Sequence, residues 1–291
     1  MSDTFRAALW MIGAILAFTS MAIAGRAVSL ELDTFEIMLF RSITGFIVVL
    51  IAAKVCGTLH QINRQQLGLH GLRNLAHFTG QNLWFFALPI IPLTQLFALE
   101  FTGPIWVILL APLVLGEKIT RIGALAAVLG AIGVLIVTRP FEAEITLGTL
   151  AAGCAAIGFA FTAIFTRKLT RTQSITCIMF WLTGMQAIFG LIGAGYDGDI
   201  ALPSTDALPW IILIGFAGLI AHFCLTTALS LAPASIVMPI DFVRLPVIAF
   251  VGAAFYMEPL DPWVFIGAAV IFGANYMNLS FGAARSHKRH T

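Results

Sequence analysis

The chain has 291 residues, of which 59% are hydrophobic and 10% charged, against about 25% charged in an ordinary soluble domain. With a mean hydropathy of +0.97, too little polar surface remains to cover a water-soluble core, so a soluble enzyme is excluded and the bilayer must be the solvent. The net charge of +2 acquires meaning only when the charges are placed along the chain.

A spanning helix needs roughly 20 mostly apolar residues, and about ten such runs follow one another between short polar breaks. They cover Phe5 to Gly25, Thr34 to Ala53, His70 to Pro89, Leu93 to Leu115, Ile122 to Thr138, Leu147 to Phe165, Ser174 to Gly195, Leu208 to Leu231, Ala234 to Met257 and Pro262 to Phe281. The breaks carry turn chemistry: Pro89-Ile90-Ile91-Pro92, Gly116-Glu117-Lys118, Arg139-Pro140, Tyr196-Asp197-Gly198-Asp199 and Glu258-Pro259-Leu260-Asp261-Pro262. Ala232-Pro233-Ala234 alone separates the eighth span from the ninth. The expected fold is therefore an all-α integral membrane protein with antiparallel neighbours. Cys56, Cys154, Cys177 and Cys224 have no paired spacing; they read as packing residues, and neither a disulfide framework nor a metal site is implied.

Loop Lys and Arg set the orientation. With a cytoplasmic N-terminus, Arg6, Lys54, Arg64, Arg73, Lys118, Arg121, Arg167, Lys168, Arg171, Arg285, Lys288 and Arg289 lie inside, and only Arg26 and Arg139 outside. The acids do the reverse, with Glu31, Asp33, Glu142, Glu144, Asp197, Asp199, Asp206, Glu258 and Asp261 outside. Both termini are expected in the cytoplasm of a multi-pass inner-membrane protein. The basic tail from Arg285 to His290 reads as an anchor facing lipid phosphates, not as a nucleic-acid site.

Sliding the sequence on itself by 141 residues gives matches in every span of the first half. Phe18, Ala22, Ile23 and Arg26 recur as Phe159, Ala163, Ile164 and Arg167; Ile37-Met38 as Ile178-Met179; Leu67, Leu72 and Ala76 as Leu208, Leu213 and Ala217. Ala87, Leu88 and Pro92 recur as Ala228, Leu229 and Pro233, Glu100-Phe101 as Asp241-Phe242, and Glu117 as Glu258. Five spans are an odd number, so the second copy enters the membrane from the opposite face. The expected units are two inverted five-helix repeats, 1–141 and 142–282, with a cytoplasmic tail at 283–291. Inverted repeats are the sequence sign of a secondary transporter working by alternating access, with its site near the midplane between the repeats. The first span, having a partner in the sixth, reads as a retained span and not as a cleaved signal peptide, for which Ala22-Ile23-Ala24 is a candidate cleavage site.

Particular motifs resemble the drug/metabolite transporter superfamily, and within it the EamA-type carriers with ten spans. They are Leu83-Trp84-Phe85-Phe86-Ala87-Leu88 leading into Pro92, Phe101-Thr102-Gly103-Pro104-Ile105-Trp106, Leu115-Gly116-Glu117-Lys118, Ala232-Pro233-Ala234-Ser235, Asp241-Phe242-Val243-Arg244-Leu245-Pro246 and Glu258-Pro259. The resemblance covers essentially the whole chain. It implies movement of small metabolites such as amino acids, riboflavin, S-adenosylmethionine or drugs through a cavity lined by the third, fourth, eighth and ninth spans. One departure is Met257, where the family usually has Gly; it affects a helix end and not the cavity.

Ionisable side chains inside a bilayer are costly and functional by default. Glu100 lies about eight residues into the fourth span from the outside and Asp241 about eight into the ninth from the inside, roughly 12 Å from opposite faces at about 1.5 Å per residue. Arg244 stands one turn beyond Asp241, and Arg41 is at a similar depth in the second span. Pro104 and Pro246 follow the two acids and are expected to kink the helices there, freeing the carbonyls of Glu100 and Phe242 as parts of a hinge. In the third span Asn74, His77, Gln81 and Trp84 share one helical face; their repeat partners are Gly215, Gly218, His222 and Leu225, so a large polar face opposes a small one and leaves room for a pocket. Trp84 is a candidate stacking or cation–π wall, with Gln81, His77 and His222 as hydrogen-bonding groups.

For the four charges two readings stand. Arg41 with Glu100, and Arg244 with Asp241, either form permanent structural pairs or present a balanced set of two cations and two anions to a substrate. The second suits a zwitterionic or amphoteric, amino-acid-like metabolite whose carboxylate meets Arg244 and whose cationic group meets Glu100 or Trp84. A larger metabolite such as S-adenosylmethionine or riboflavin is the alternative. Asp241 and Glu100 are the candidates for carrying a coupling proton, with exchange as the other mode. Small residues at Gly123, Ala127 and Ala131, and at Ala126 and Gly130, let the fifth span pack closely, within the chain or in a homodimer. An enzyme embedded in the membrane would need a catalytic cluster such as HExxH or GxSxG, and the sequence contains neither; a non-transporting scaffold would not need mirrored acids and prolines. No cofactor is implied.

Overall fold

A computed structural model describes residues 2–116, 121–139 and 145–287. Ten spans are present in the expected places: α1 (Asp3–Val28), α2 (Thr34–Val55), α3 (Leu67–Ala87), a fourth made of α4 (Leu93–Glu100) and α5 (Gly103–Leu115), α6 (Arg121–Thr138), α7 (Leu147–Leu169), α8 (Ile175–Ala194), α9 (Leu208–Leu231), a ninth made of α10 (Ala234–Ile240) and α11 (Arg244–Tyr256), and α12 (Pro262–His287). Six of the spans satisfy length and apolarity for crossing a membrane on strict terms. Large apolar side chains such as Leu16, Ile51, Leu113 and Phe250 face outward, as a lipid-bathed surface requires.

Local chemistry fixes the ends. Asp33 accepts the N–H of Glu36 at 2.8 Å while Glu36 returns a bond to the Asp33 N–H at 2.9 Å, a reciprocal cap that starts α2. Ser174, 141 residues later, accepts the Cys177 N–H and starts α8. Pro92 and Pro233, also repeat partners, precede α4 and α10. Gly116 and Met257 are repeat partners too, and both end their helices in the left-handed region, at φ 69° and 55°. The break at Ala232-Pro233-Ala234 is real: Ala232 is extended and the helix restarts at Ala234.

Packing shows the inverted symmetry directly. The main helix pairs are α1 with α9, α3 with α7, α2 with α8, and α6 with α12. Exchanging the halves converts the first pair into the second and leaves the other two unchanged, which is the pattern of a pseudo-two-fold axis. Backbones come very close at two of these crossings. A Cβ on Gly158 would lie 2.9 Å from the Ala76 carbonyl, and one on Gly267 would lie 2.6 Å from the Gly133 carbonyl. The fifth span thus uses Gly133 for packing within the chain, against α12, and Ala126 and Ala127 are buried. Cys177 and Cys224 are interior, whereas Cys56 and Cys154 lie on the surface, so only two of the four serve as packing residues. Glu117, Lys118, Glu142, Glu144, Lys288 and Arg289 lie outside the described residues.

Two expectations change. Arg73 is buried at 1% exposure and is an interior charge of α3, not a loop charge. The fourth and ninth spans are interrupted, not kinked: α4 ends at Glu100 and a turn at Phe101–Thr102 intervenes, while a 3-10 turn at Asp241–Val243 separates α10 from α11. Pro104 stands in the first turn of α5 and Pro246 in that of α11, where a proline has no helical N–H bond to lose. The carbonyl taken up at the first break is that of Leu99, which accepts from both the Thr102 N–H at 3.0 Å and its hydroxyl at 2.8 Å.

Candidate functional site

The two breaks meet. Arg244, first residue of α11, donates from Nη2 to Glu100 Oε1 and to Asp241 Oδ2, both at 2.5 Å. One guanidinium therefore bridges the acids of both repeats. It is 2% exposed and lies 4.9 Å from the ring centroid of Phe18, 4.8 Å from Phe97 and 5.3 Å from Phe101. Glu100 is held from its other oxygen by the Trp84 indole N–H at 2.7 Å. Trp84 stands edge-on to Phe85 and Phe97, so the cation–π contacts belong to Arg244 and aromatic neighbours other than Trp84.

These groups wall a cavity of about 60 Å³, well below the roughly 300–1,000 Å³ of sites that enclose drug-sized molecules. Its lining is built largely from repeat partners. Phe18 and Phe159, Gln81 and His222, Trp84 and Leu225, and Glu100 and Asp241 all border it, each pair 141 residues apart. The symmetry fails at Arg244, whose partner is Gly103. A single arginine can serve two acids because the other copy supplies none.

Several buried polar atoms at this cavity have no hydrogen-bond partner among the described residues: Gln81 Nε2, both ring nitrogens of His77 and of His222, and Asp241 Oδ1. The two imidazoles meet edge to face at 4.5 Å, and Phe18 packs perpendicular to His222 at 5.7 Å. Buried polar groups are normally satisfied, so these atoms retain hydrogen-bonding capacity facing the cavity.

Of the residues singled out from sequence, Glu100, Asp241, Arg244, Trp84, Gln81, His77 and His222 converge here. Two do not. Asn74 is fully buried beside it, donating to the His70 and Trp181 carbonyls at 2.9 and 3.2 Å. Arg41 points into an adjoining chamber and is not paired with Glu100; its guanidinium rests against Gly218, where a Cβ would come within 2.5 Å of it. The small face of the eighth span is thus a seat for Arg41. Sequence reasoning missed Phe18, Phe159, Thr162 and Met238 as lining residues. Phe18 and Phe159 were visible as a repeat pair, since identity at an inverted offset puts two like residues at equivalent depths.

The model of the EamA-like transporter family matches residues 5–139 and again 146–280. The chain belongs to this family. It is a membrane-spanning transporter of the drug/metabolite superfamily, not an enzyme. Among its EamA relatives, the riboflavin transporter of Brucella anthropi is 32% identical over 74% of this chain and 77% of that protein. The riboflavin transporter of Vibrio cholerae is 28% identical over 91% and 89%, and the S-adenosylmethionine uptake transporter of Rickettsia bellii 23% identical over 91% and 90%. A solved crystal structure superimposes with a TM-score of 0.75 at 17% identity, covering 97% of this chain and 98% of the other; that likeness concerns the fold alone.

Proposed function

We propose that this transporter carries riboflavin, or a heteroaromatic metabolite of similar size, across the cytoplasmic membrane by alternating access of two inverted units, 1–141 and 142–282, with both termini in the cytoplasm. The observation that carries the reading is the lining of the cavity, with aromatic faces, Phe18 and Phe159, contributed by both repeats and unpartnered polar atoms at its edge; at about 60 Å³ the cavity must widen to admit such a substrate, as alternating access provides. A planar ring system with hydrogen-bonding edges fits that division: the faces stack on the phenyl rings, and the edge groups meet Gln81, His77 and His222. The names of the relatives agree with a substrate larger than an amino acid, and so favour the larger-metabolite alternative over the amino-acid-like reading. Glu100 and Asp241 serve as the proton-coupling candidates, and the breaks ahead of Pro104 and Pro246 as the hinges.

One observation favours S-adenosylmethionine as a second reading. Two acids share one arginine here, and if both are ionised the local balance is negative and suits a cationic sulfonium. Purified protein in liposomes preloaded with unlabelled riboflavin should accumulate labelled riboflavin by counterflow. Accumulation of labelled S-adenosylmethionine alone would select the second reading, and accumulation of neither would reject both. Counterflow that ignores an imposed proton gradient would remove Glu100 and Asp241 from coupling.

A further inference from the structure

Beside the central cavity lies a second, smaller chamber of about 20 Å³ between α2, α3, α8 and α9, room for one water-sized ion. It shares His77 and His222 with the cavity, so the perpendicular imidazole pair forms the partition between them. Arg41 projects into it, buried to 7% exposure, with the Met38 sulfur at 3.6 Å as its hydrogen-bond partner. Arg73, on the adjacent α3, is held by Thr166 Oγ1 and Asn74 Oδ1, each at 3.1 Å. Among the described residues neither guanidinium meets a carboxylate.

Two buried arginines, at 7% and 1% exposure, with no carboxylate partner among the described residues are at odds with the rule that interior charges are paired. Arg244 in the same molecule has two carboxylates, so the chain has the means to neutralise an arginine and does not use them for Arg41. The remaining surroundings are neutral: Ser42, Thr183 and Gln186 line the chamber, the Thr183 hydroxyl donates to the Met179 carbonyl at 3.0 Å, and the Gln186 amide N–H₂ is committed to the Asn74 carbonyl at 2.8 Å, so Arg41 is the charged donor of the chamber. Gly218 makes room for the guanidinium, since a Cβ there would lie 2.5 Å from Arg41 Nη2.

We infer that the Arg41 chamber is a binding site for a small monovalent anion of carboxylate or halide size, with Arg41 as its direct ligand and Arg73 supplying charge from the adjacent α3. The site goes beyond the substrate reading above and stands apart from it. The anion is either the carboxylate end of a molecule whose body lies in the central cavity, reaching past His77 and His222, or an inorganic ion resident beside a neutral substrate.

The test uses the full-length protein in detergent at constant ionic strength, with bulky gluconate replaced stepwise by chloride or acetate. The expected result is a saturable rise in melting temperature with both small anions. Arg41→Lys should retain it, and Arg41→Gln should raise the half-saturating concentration by about tenfold or more, the loss of one charge-assisted hydrogen bond. If Arg41→Gln fails to fold, chloride-35 line broadening on the unmodified protein, competed away by acetate, gives the same answer. Competition between S-adenosylmethionine and chloride would identify the anion as the substrate's carboxylate; additive stabilisation by riboflavin and chloride would identify a separate ion. Melting that follows ionic strength alone, with no saturable broadening, or a chloride response unchanged in folded Arg41→Gln, would overturn the site. A chloride response without riboflavin counterflow would leave the anion site standing and reject the substrate reading.

Discussion

Replacing Arg244 by Gln should reveal how the two repeats are held together at the broken helices. The side chain is 2% exposed and makes both 2.5 Å contacts from one nitrogen. Gln keeps a donor but removes the charge, leaving Glu100 and Asp241 near one another in the interior. Removing one partner of a buried ion pair costs roughly 3–5 kcal/mol, chiefly through the charge left behind. At about 2–4 °C per kcal/mol for a chain of this size, the melting temperature of the detergent-purified protein should fall by roughly 6–20 °C. The source of the loss is separable. If uncompensated charge is the cause, adding Asp241→Asn to Arg244→Gln should restore part of the stability, with a coupling of about 0.5–3 kcal/mol between the two changes. Strict additivity, or a single variant that melts within about 2 °C of the parent, would refute the view that this arginine neutralises both acids.

Other expectations follow from single contacts. Met257→Gly should stabilise the protein by up to about 1 kcal/mol, since Met257 holds φ 55°, an arrangement that costs an L-residue roughly 1–2 kcal/mol and a glycine little; a scanning melt checks it. Gly158→Leu should lower the melting temperature sharply, because even a Cβ would lie 2.9 Å from the Ala76 carbonyl and 3.0 Å from Gly80 Cα, so α3 and α7 must separate. Trp84→Phe should weaken riboflavin or S-adenosylmethionine counterflow while leaving the fold intact, as it removes the 2.7 Å bond to Glu100 but keeps an aromatic body. Phe18→Ala and Phe159→Ala should each raise the apparent Kd of the carried metabolite, measured by quenching of its own absorbance or fluorescence, by about 5- to 100-fold, the worth of one stacking face at roughly 1–3 kcal/mol.

The ten spans were legible because lipid imposes a length and a polarity on each of them, and because Asp33, Ser174, Pro92 and Pro233 mark starts that water-soluble helices also use. The inverted repeat was legible in Glu100 and Asp241, whose equivalent positions survive in the structure: seven helical residues, 93–99 and 234–240, precede each acid. Partner choice was legible only in part: Arg244 meets Asp241 as expected, but Glu100 goes to Arg244 and not to Arg41. Arg41 and Arg244 lie at comparable depths, and depth does not say which faces an acid; that is decided by azimuth around each helix and by what the opposing helix lacks. Gly218 gives Arg41 a place against α9, and Gly103 leaves Glu100 for Arg244. Arg73 was misplaced for a related reason. A polar helix end resembles a loop in sequence, and only the packing of α3 on α7 puts Thr166 within reach of it.

The same broken helices also reach a surface tie, which connects the buried charges to access. On the face where α1 ends and α4 begins, Arg26 donates to Glu258 at 2.7 Å and to the Ile91 carbonyl at 3.0 Å. Glu258 also accepts the Leu93 N–H, the first of α4, at 3.0 Å, and Tyr256 covers the Arg26 guanidinium at 4.7 Å. On the opposite face the repeat partner of Arg26, Arg167, donates to the Leu229 carbonyl at 2.5 Å. The tie at Glu258 therefore joins the outer end of α4 to the far end of α11, while Arg244 joins the inner end of α4 to the near end of α11. Each of these two half-helices is pinned at both ends, once by a charge at the cavity and once by a charge at the surface. In the proposed carrier a substrate that takes over part of the coordination of Arg244, Glu100 or Asp241 loosens the inner pins. The hold on α4 and α11 then rests on the surface tie of Arg26 to Glu258, whose side chains are 17% and 11% exposed.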